Sequence, residues 1–174
     1  KLLNVRSQGA FVLARKVVRS GRYTGGESAL ADDARASLRA WGVGEGEIGA
    51  VVSKRVYAQD GDDAGVAAPV LHRYKTFVER AAAGVPVVGH RAVITHATDG
   101  SFARALVVWP PLAASGHKLT SRLSDDAIAD RTKLALAAHG IAGGTARLRY
   151  KYVPTLDANG DARLTLVVGA RVKA

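Results

Sequence analysis

The chain has 174 residues, 48% of them hydrophobic and 23% charged, a size and balance that support a packed core and exclude a disordered or fibrous polypeptide. It holds no cysteine, which excludes disulfide scaffolds, thiolate metal sites and cysteine nucleophiles, and no apolar run approaches the ~20 residues of a membrane-spanning helix. The net charge of +10 sits at the two ends: Lys1, Arg6, Arg15, Lys16, Arg19 and Arg22 have no acid among them, and residues 147 to 174 carry six bases against Asp157 and Asp161.

Bases and acids balance in the middle of the chain, so the charged ends favour an anionic partner such as nucleic acid, lipid headgroups or an acidic protein. Lysine stands first and methionine is absent throughout, from which we expect a chain that starts at a processing point.

Residues 1–26 read as a basic N-terminal segment in which the short apolar run Phe11 to Val18 fits strand and helix about equally. Glycines 21, 25 and 26 punctuate it. A helix follows, with Leu30, Ala34, Leu38 and Trp41 at helical spacing, Asp32 and Asp33 expected in its first turn, and Gly42 as its stop.

The period then changes. Valine-rich Ile48 to Tyr57 predicts a strand, and Gln59 to Gly65 is a polar loop that cannot continue it. Val70 to Arg80 is a second strand, Ala81 to Gly84 a turn, and Val85 to Ala97 a third strand. Thr98-Asp99-Gly100-Ser101 is a hairpin signal, and Phe102 to Trp109 a fourth strand ended by Pro110 and Pro111. One helix and four antiparallel strands over residues 27–112 make an α+β unit with the helix on one face of the sheet.

Residues 113–121 read as a polar linker, and 122–174 as a second unit. Ser124 is placed to cap a helix that Gly140 closes. Leu123-Ser124-Asp125-Asp126-Ala127 nearly repeats Leu30-Ala31-Asp32-Asp33-Ala34, which suggests two related modules.

The final hairpin alternates most clearly. Ala146, Leu148, Tyr150 and Tyr152 face one way, and Arg147, Arg149 and Lys151 the other; Arg163, Arg171 and Lys173 join the basic side from the return strand. Asp157 to Asp161 suits a three-residue loop, and pairing those two aspartates sets Arg147 opposite Arg171. These six bases are the candidate partner-binding residues, because like charges opposed across a sheet cost stability that an anionic partner would offset.

Catalytic machinery is not evident. His72, His90, His96, His117 and His139 fall on different elements or too far apart. His90 and His96 share a side of one strand, yet six residues at about 3.3 Å each hold them some 20 Å apart. No serine lies in a G-x-S-x-G elbow, no glycine loop has a phosphate-binding pattern, and Gln59 to Gly65 lacks the glutamate that completes a calcium loop. Catalytic, cofactor-binding and metal-ligating residues are therefore expected to be absent, and the chain is read as a non-enzyme.

The stretch from Gly84 to Gly100, beginning Gly84-Val85-Pro86-Val87-Val88-Gly89 and ending Asp99-Gly100, resembles the G-V-P-V-x-G … D-G core of the fungalysin/thermolysin propeptide (FTP) family, with Tyr74 or Phe77 matching the aromatic residue of the preceding strand. The second unit resembles the PepSY module that often follows in that family. Together the similarity covers roughly residues 27 to 173.

The resemblance implies an α+β fold in which a cystatin-like antiparallel sheet packs on a helix, followed by a smaller helix-and-hairpin PepSY-like unit. It further implies a propeptide that serves as intramolecular chaperone and metallopeptidase inhibitor for the catalytic domain of a secreted bacterial zinc metallopeptidase, acting in cis or in trans. An exported chain, periplasmic or extracellular, follows from that expectation. The alternative is a stand-alone exported module whose basic sheet faces bind cell-envelope polymer, lipid headgroup or nucleic acid.

Overall fold

A computed structural model of the chain describes residues 2–7, 10–15, 21–62, 65–110, 112, 124–141, 145–156 and 162–173. It is a mixed α+β fold in two compact units, 1–84 with 89–111 and 85–88 with 112–174.

In the first unit the strands are β1 (Leu2–Ser7), β2 (Ala10–Arg15), β3 (Ile48–Ala58), the two-residue β4 (Gly61–Asp62) and β5 (Gly65–Val66), β6 (Val70–Ala82), β7 (Val85–His96) and β8 (Phe102–Val108). Helix α1 (Glu27–Ala40) precedes β3, and a 3-10 turn at Glu45–Glu47 leads into it. The main sheet has the order β1-β2-β8-β7-β6-β3, so the expected four-strand meander is present and two N-terminal strands extend it beyond β8.

The basic N-terminal segment is thus part of the sheet. Ala10–Arg15 pairs antiparallel with β8, Phe11 opposite Val107 and Leu13 opposite Ala105, which covers an edge that would otherwise present unpaired backbone. Leu13 is buried between the half-buried Val12 and Ala14, whose side chains point to the other face. Gln59 to Gly65, expected as plain loop, contributes the tiny β4–β5 ribbon; Asp63 and Ala64 lie outside the described residues.

Helix α1 lies on one face of this sheet. Its stripe Leu30, Ala34 and Leu38 is buried to 2% exposure or less, and packs toward Val78, Ile94 and Val107, all at 0%. Trp41, at the helix end, meets Phe11 and Phe102 edge-on at 5.5 and 6.3 Å, joining the helix to the β2–β8 side of the sheet.

The helix begins at Glu27 under the Gly26 cap, so Asp32 and Asp33 fall in its second turn, not its first. Asp33 is occupied elsewhere: His96 Nε2 lies 2.9 Å from its Oδ2. At the other end Gly42 at φ +91° donates to Arg39, and Val43 N donates to Leu38 O at 3.0 Å, a Schellman stop.

Burial along β7 changes parity. Val87 is buried, and beyond Gly89 the buried residues are His90, Ala92, Ile94, Thr95 and His96. Gly89 has φ +80°, a left-handed conformation that glycine adopts without strain, and the pairing of β7 with β8 shifts register between Thr95 and His96.

The second unit contains α2 (Asp125–Ala138), β9 (Thr145–Leu156), β10 (Ala162–Lys173) and residues 85–88 of β7, of which Val87 pairs parallel with Tyr152. Ser124 Oγ accepts from Ala127 N at 3.2 Å, the expected cap. Gly140 N and Ile141 N donate to Ala137 and Leu136 carbonyls, repeating the Schellman stop of α1. The near-repeated pentapeptides are not structurally equivalent, however: one lies inside α1 and the other straddles the start of α2. The linker 113–121 and loop 157–161 lie outside the described residues.

The β6–β7 turn is made by Ala83 and Gly84, with φ of 48° and 79°. Two positive values suit a type I′ turn, in which asparagine is preferred at the first position. A left-handed alanine costs about 1 kcal/mol. Ala83→Asn is therefore expected to raise unfolding stability by about 0.5–1 kcal/mol, read from urea midpoints at unchanged slope; a destabilised variant would contradict this turn assignment.

Candidate partner-binding surfaces

The hairpin of β9 and β10 has the register expected from sequence: Arg171 lies opposite Arg147, Gly169 opposite Arg149, Val167 opposite Lys151, Arg163 opposite Thr155 and Lys173 opposite Thr145. All six predicted bases thus occupy positions of one face. The side chains of Arg149 and Lys151 are exposed; those of Arg147, Arg163, Arg171 and Lys173 lie outside the described residues. On the other face Tyr152 is 2% exposed and Leu164, Leu166 and Val168 are half-buried. β10 pairs only with β9, which leaves its outer edge without a neighbouring strand among the described residues.

The histidines are dispersed. Both His90 and His96 lie on the helix-facing side of β7, buried at 7% and 1% exposure. His96 is bonded to Asp33, and its Nδ1 has no partner among the described residues. His72 adjoins Arg73, His139 caps α2, and His117 lies outside the described residues. Among the described residues no group of three or more histidine, aspartate or glutamate side chains could hold a metal ion. No described helix is long and apolar enough to cross a membrane.

The densest polar cluster of the first unit surrounds Arg80, 3% exposed. Its guanidinium pairs with Glu47, donates to the Pro110 carbonyl and to His90 Nδ1 at 3.3 Å, and lies 5.3 Å from the Trp109 ring. Trp109 Nε1 in turn donates to Glu47 Oε2 at 3.0 Å. A buried cation needs such partners. The cluster ties the start of β3 to β6, β7 and the segment after β8, although Arg80 Nε has no partner among the described residues.

Sequence patterning did not single out a second basic surface. On the side of the main sheet away from α1, Val52 pairs with Phe77 and Lys54 with Lys75; Arg91 and Arg104 are exposed on the neighbouring β7 and β8. The only described acid on that side of β3, β6, β7 and β8 is Glu79. The acids Glu27, Asp32, Asp33, Glu45 and Glu47 belong to α1 and the 3-10 turn. The bases of that face therefore lie apart from these acids, which are accompanied on the helix side by Arg35, Arg39 and Arg55. Odd-even alternation in β6 carried that signal, but its meaning depends on the register with β3.

His90 supplies a titration. Burial first, and then the Arg80 guanidinium, hold its pKa below the ordinary histidine value, so the native ring is neutral. The unfolded chain takes up that proton near pH 6.5. The contribution of His90 is thus complete above about pH 6.5 and is lost as the pH falls toward the lower folded value. Urea midpoints are expected to drop between pH 7.5 and 5.5, and His90→Asn to flatten that drop; the same drop in both chains would contradict the assignment.

No protein-family model, curated protein or solved structure matches the chain.

Proposed function

We propose that the chain is a non-catalytic, propeptide-like module of the FTP/PepSY type, which docks on an exported zinc metallopeptidase, assists its folding and holds it inactive. The observation that carries this reading is the conformation of Gly84-Val85-Pro86-Val87-Val88-Gly89, the segment that bears the resemblance. Gly84 and Gly89 both have positive φ, one closing the β6–β7 turn and the other lying within β7. The motif glycines thus have a backbone reason, inside an antiparallel sheet backed by one helix as a cystatin-like unit requires.

The mechanism follows from edges and not from reacting groups. A strand such as β10, paired on one side only among the described residues, can receive or mimic an extended peptide in a protease cleft. The buried polar side chains Arg80, His90, Ser53 and Thr76 are engaged with one another or with backbone, as structural groups are. Adding the chain to a thermolysin-like enzyme is expected to slow peptide hydrolysis and raise the yield of active enzyme on refolding. No change in either at micromolar ratios would sink the reading for enzymes of that class.

A second reading rests on the hairpin register. Arg147 opposite Arg171 favours an anionic partner for that face. Binding to anionic vesicles or an oligonucleotide would then weaken steeply between about 50 and 200 mM salt, and Arg149→Glu with Lys151→Glu would abolish it. Salt-insensitive binding, or none, would leave the basic face as solvated surface.

A further inference from the structure

We infer that the side of the main sheet opposite α1 is a docking surface for an acidic amphipathic helix of a partner protein. This surface is separate from the β9–β10 hairpin, and the inference stands whether or not the partner is a peptidase.

Apolar side chains open the case. Val52 and Phe77 form one cross-strand pair and are 48% and 39% exposed, although Phe77 lies between the buried Thr76 and Val78 and Val52 between the half-buried Val51 and the buried Ser53. Exposed apolar pairs next to one another mark contact surfaces more often than scattered single residues do. Val93, Leu106 and Val12 occupy one row across β7, β8 and β2 on the same side, all half-buried. No described element of the first unit packs over this side as α1 packs over the other.

Charge selects the occupant. Lys54 and Lys75 lie directly opposite one another on the rung next to Val52 and Phe77, where like charges repel. Arg91 and Arg104 lie on the far side of β6, with Glu79 as the only described acid of the face. From β3 to β8 is three strand spacings, about 14 Å. An α-helix with its side chains is about 10–12 Å across. Such a helix, laid along the sheet with leucine-type residues on the apolar rows, would hold carboxylates within reach of Lys54 and Lys75 on one flank and of Arg91 and Arg104 on the other.

Other polyanions fit less well. Phe77 is the only exposed aromatic on this side of β3 and β6, so successive nucleic-acid bases would lack the stacking platform that single-strand binders use. A helix carrying apolar and acidic faces answers both parts of the surface at once.

The test uses the full chain and a fluorescein-labelled 18-residue peptide with leucines on one helical face and glutamates on the other. Controls are the same peptide with every glutamate replaced by glutamine, polyglutamate of equal charge, and a ten-nucleotide thymidine strand. Saturable anisotropy binding to the acidic amphipathic peptide is expected, weaker by about tenfold or more for each control. Lys54→Glu with Lys75→Glu, and separately Phe77→Ser, should each lower that affinity by about tenfold, while Arg149→Glu with Lys151→Glu leaves it unchanged.

Thermal melts of each variant separate lost binding from lost folding, and Arg91→Glu with Arg104→Glu provides a second exposed pair if the first unfolds. Equal binding of polyglutamate or thymidine strand, loss through the hairpin variant alone, or no binding at all would overturn the inference. So would concentration-dependent self-association that Lys54→Glu abolishes, because the face would then belong to a second copy of the chain.

Discussion

The six strands that run from β1 to β3 in the first unit present two faces, and one described α-helix of fourteen residues is there to cover them. That inequality governs the molecule. The face under α1 collects Leu38, Val78, Ile94 and Val107 at 0% exposure and excludes unpaired charge. Removing that much apolar surface from water supplies the driving force, and close packing fixes which residues can sit there. The opposite face has no such cover among the described residues of the unit and instead carries lysine and arginine beside Val52 and Phe77. What the chain can do then depends on what can approach that face and the hairpin of β9 and β10.

The polar groups inside the first unit act as fasteners. Arg80, on β6, reaches residues associated with the other three strands of the meander, and Ser53 and Thr76 share a 2.8 Å hydrogen bond across the rung between β3 and β6. His96, on the helix-facing side, reaches Asp33 on α1. Each of these contacts joins elements distant in sequence, so each narrows the ways in which the strands can pair. A chain whose buried polar groups are committed in this manner is suited to present a fixed surface.

Much of this was legible in the amino-acid order because it follows from local rules. Gly42 and Gly140 end helices as glycine does in left-handed backbone, Ser124 caps, and Arg147 lies opposite Arg171 as the alternation of the last hairpin leads one to expect. The N-terminal strands were not legible, since Arg15 and Lys16 interrupt the apolar run and only pairing with β8 gives Phe11 and Leu13 a buried side. Asp32 and Asp33 looked like first-turn acids because nothing local reveals that the helix starts at Glu27. The hairpin bases could be read from one uninterrupted alternation, whereas the surface built by Lys54, Lys75, Arg91 and Arg104 comes from four strands whose order no short window contains. Local periodicity therefore located elements and one candidate surface, and tertiary pairing made the other.

The direct test of one covered and one open sheet face exploits the absence of cysteine from the chain. Phe77→Cys and Val78→Cys place a thiol at adjacent positions of β6 that point to opposite faces, the first residue 39% exposed and the second 0%. Rates of reaction with a maleimide should be close to those of an unstructured peptide for the variant at 77, and slower by orders of magnitude at 78 until denaturant is added. Comparable rates at the two positions, or faster reaction at 78 in chains that melt as cooperatively as the parent, would contradict the account.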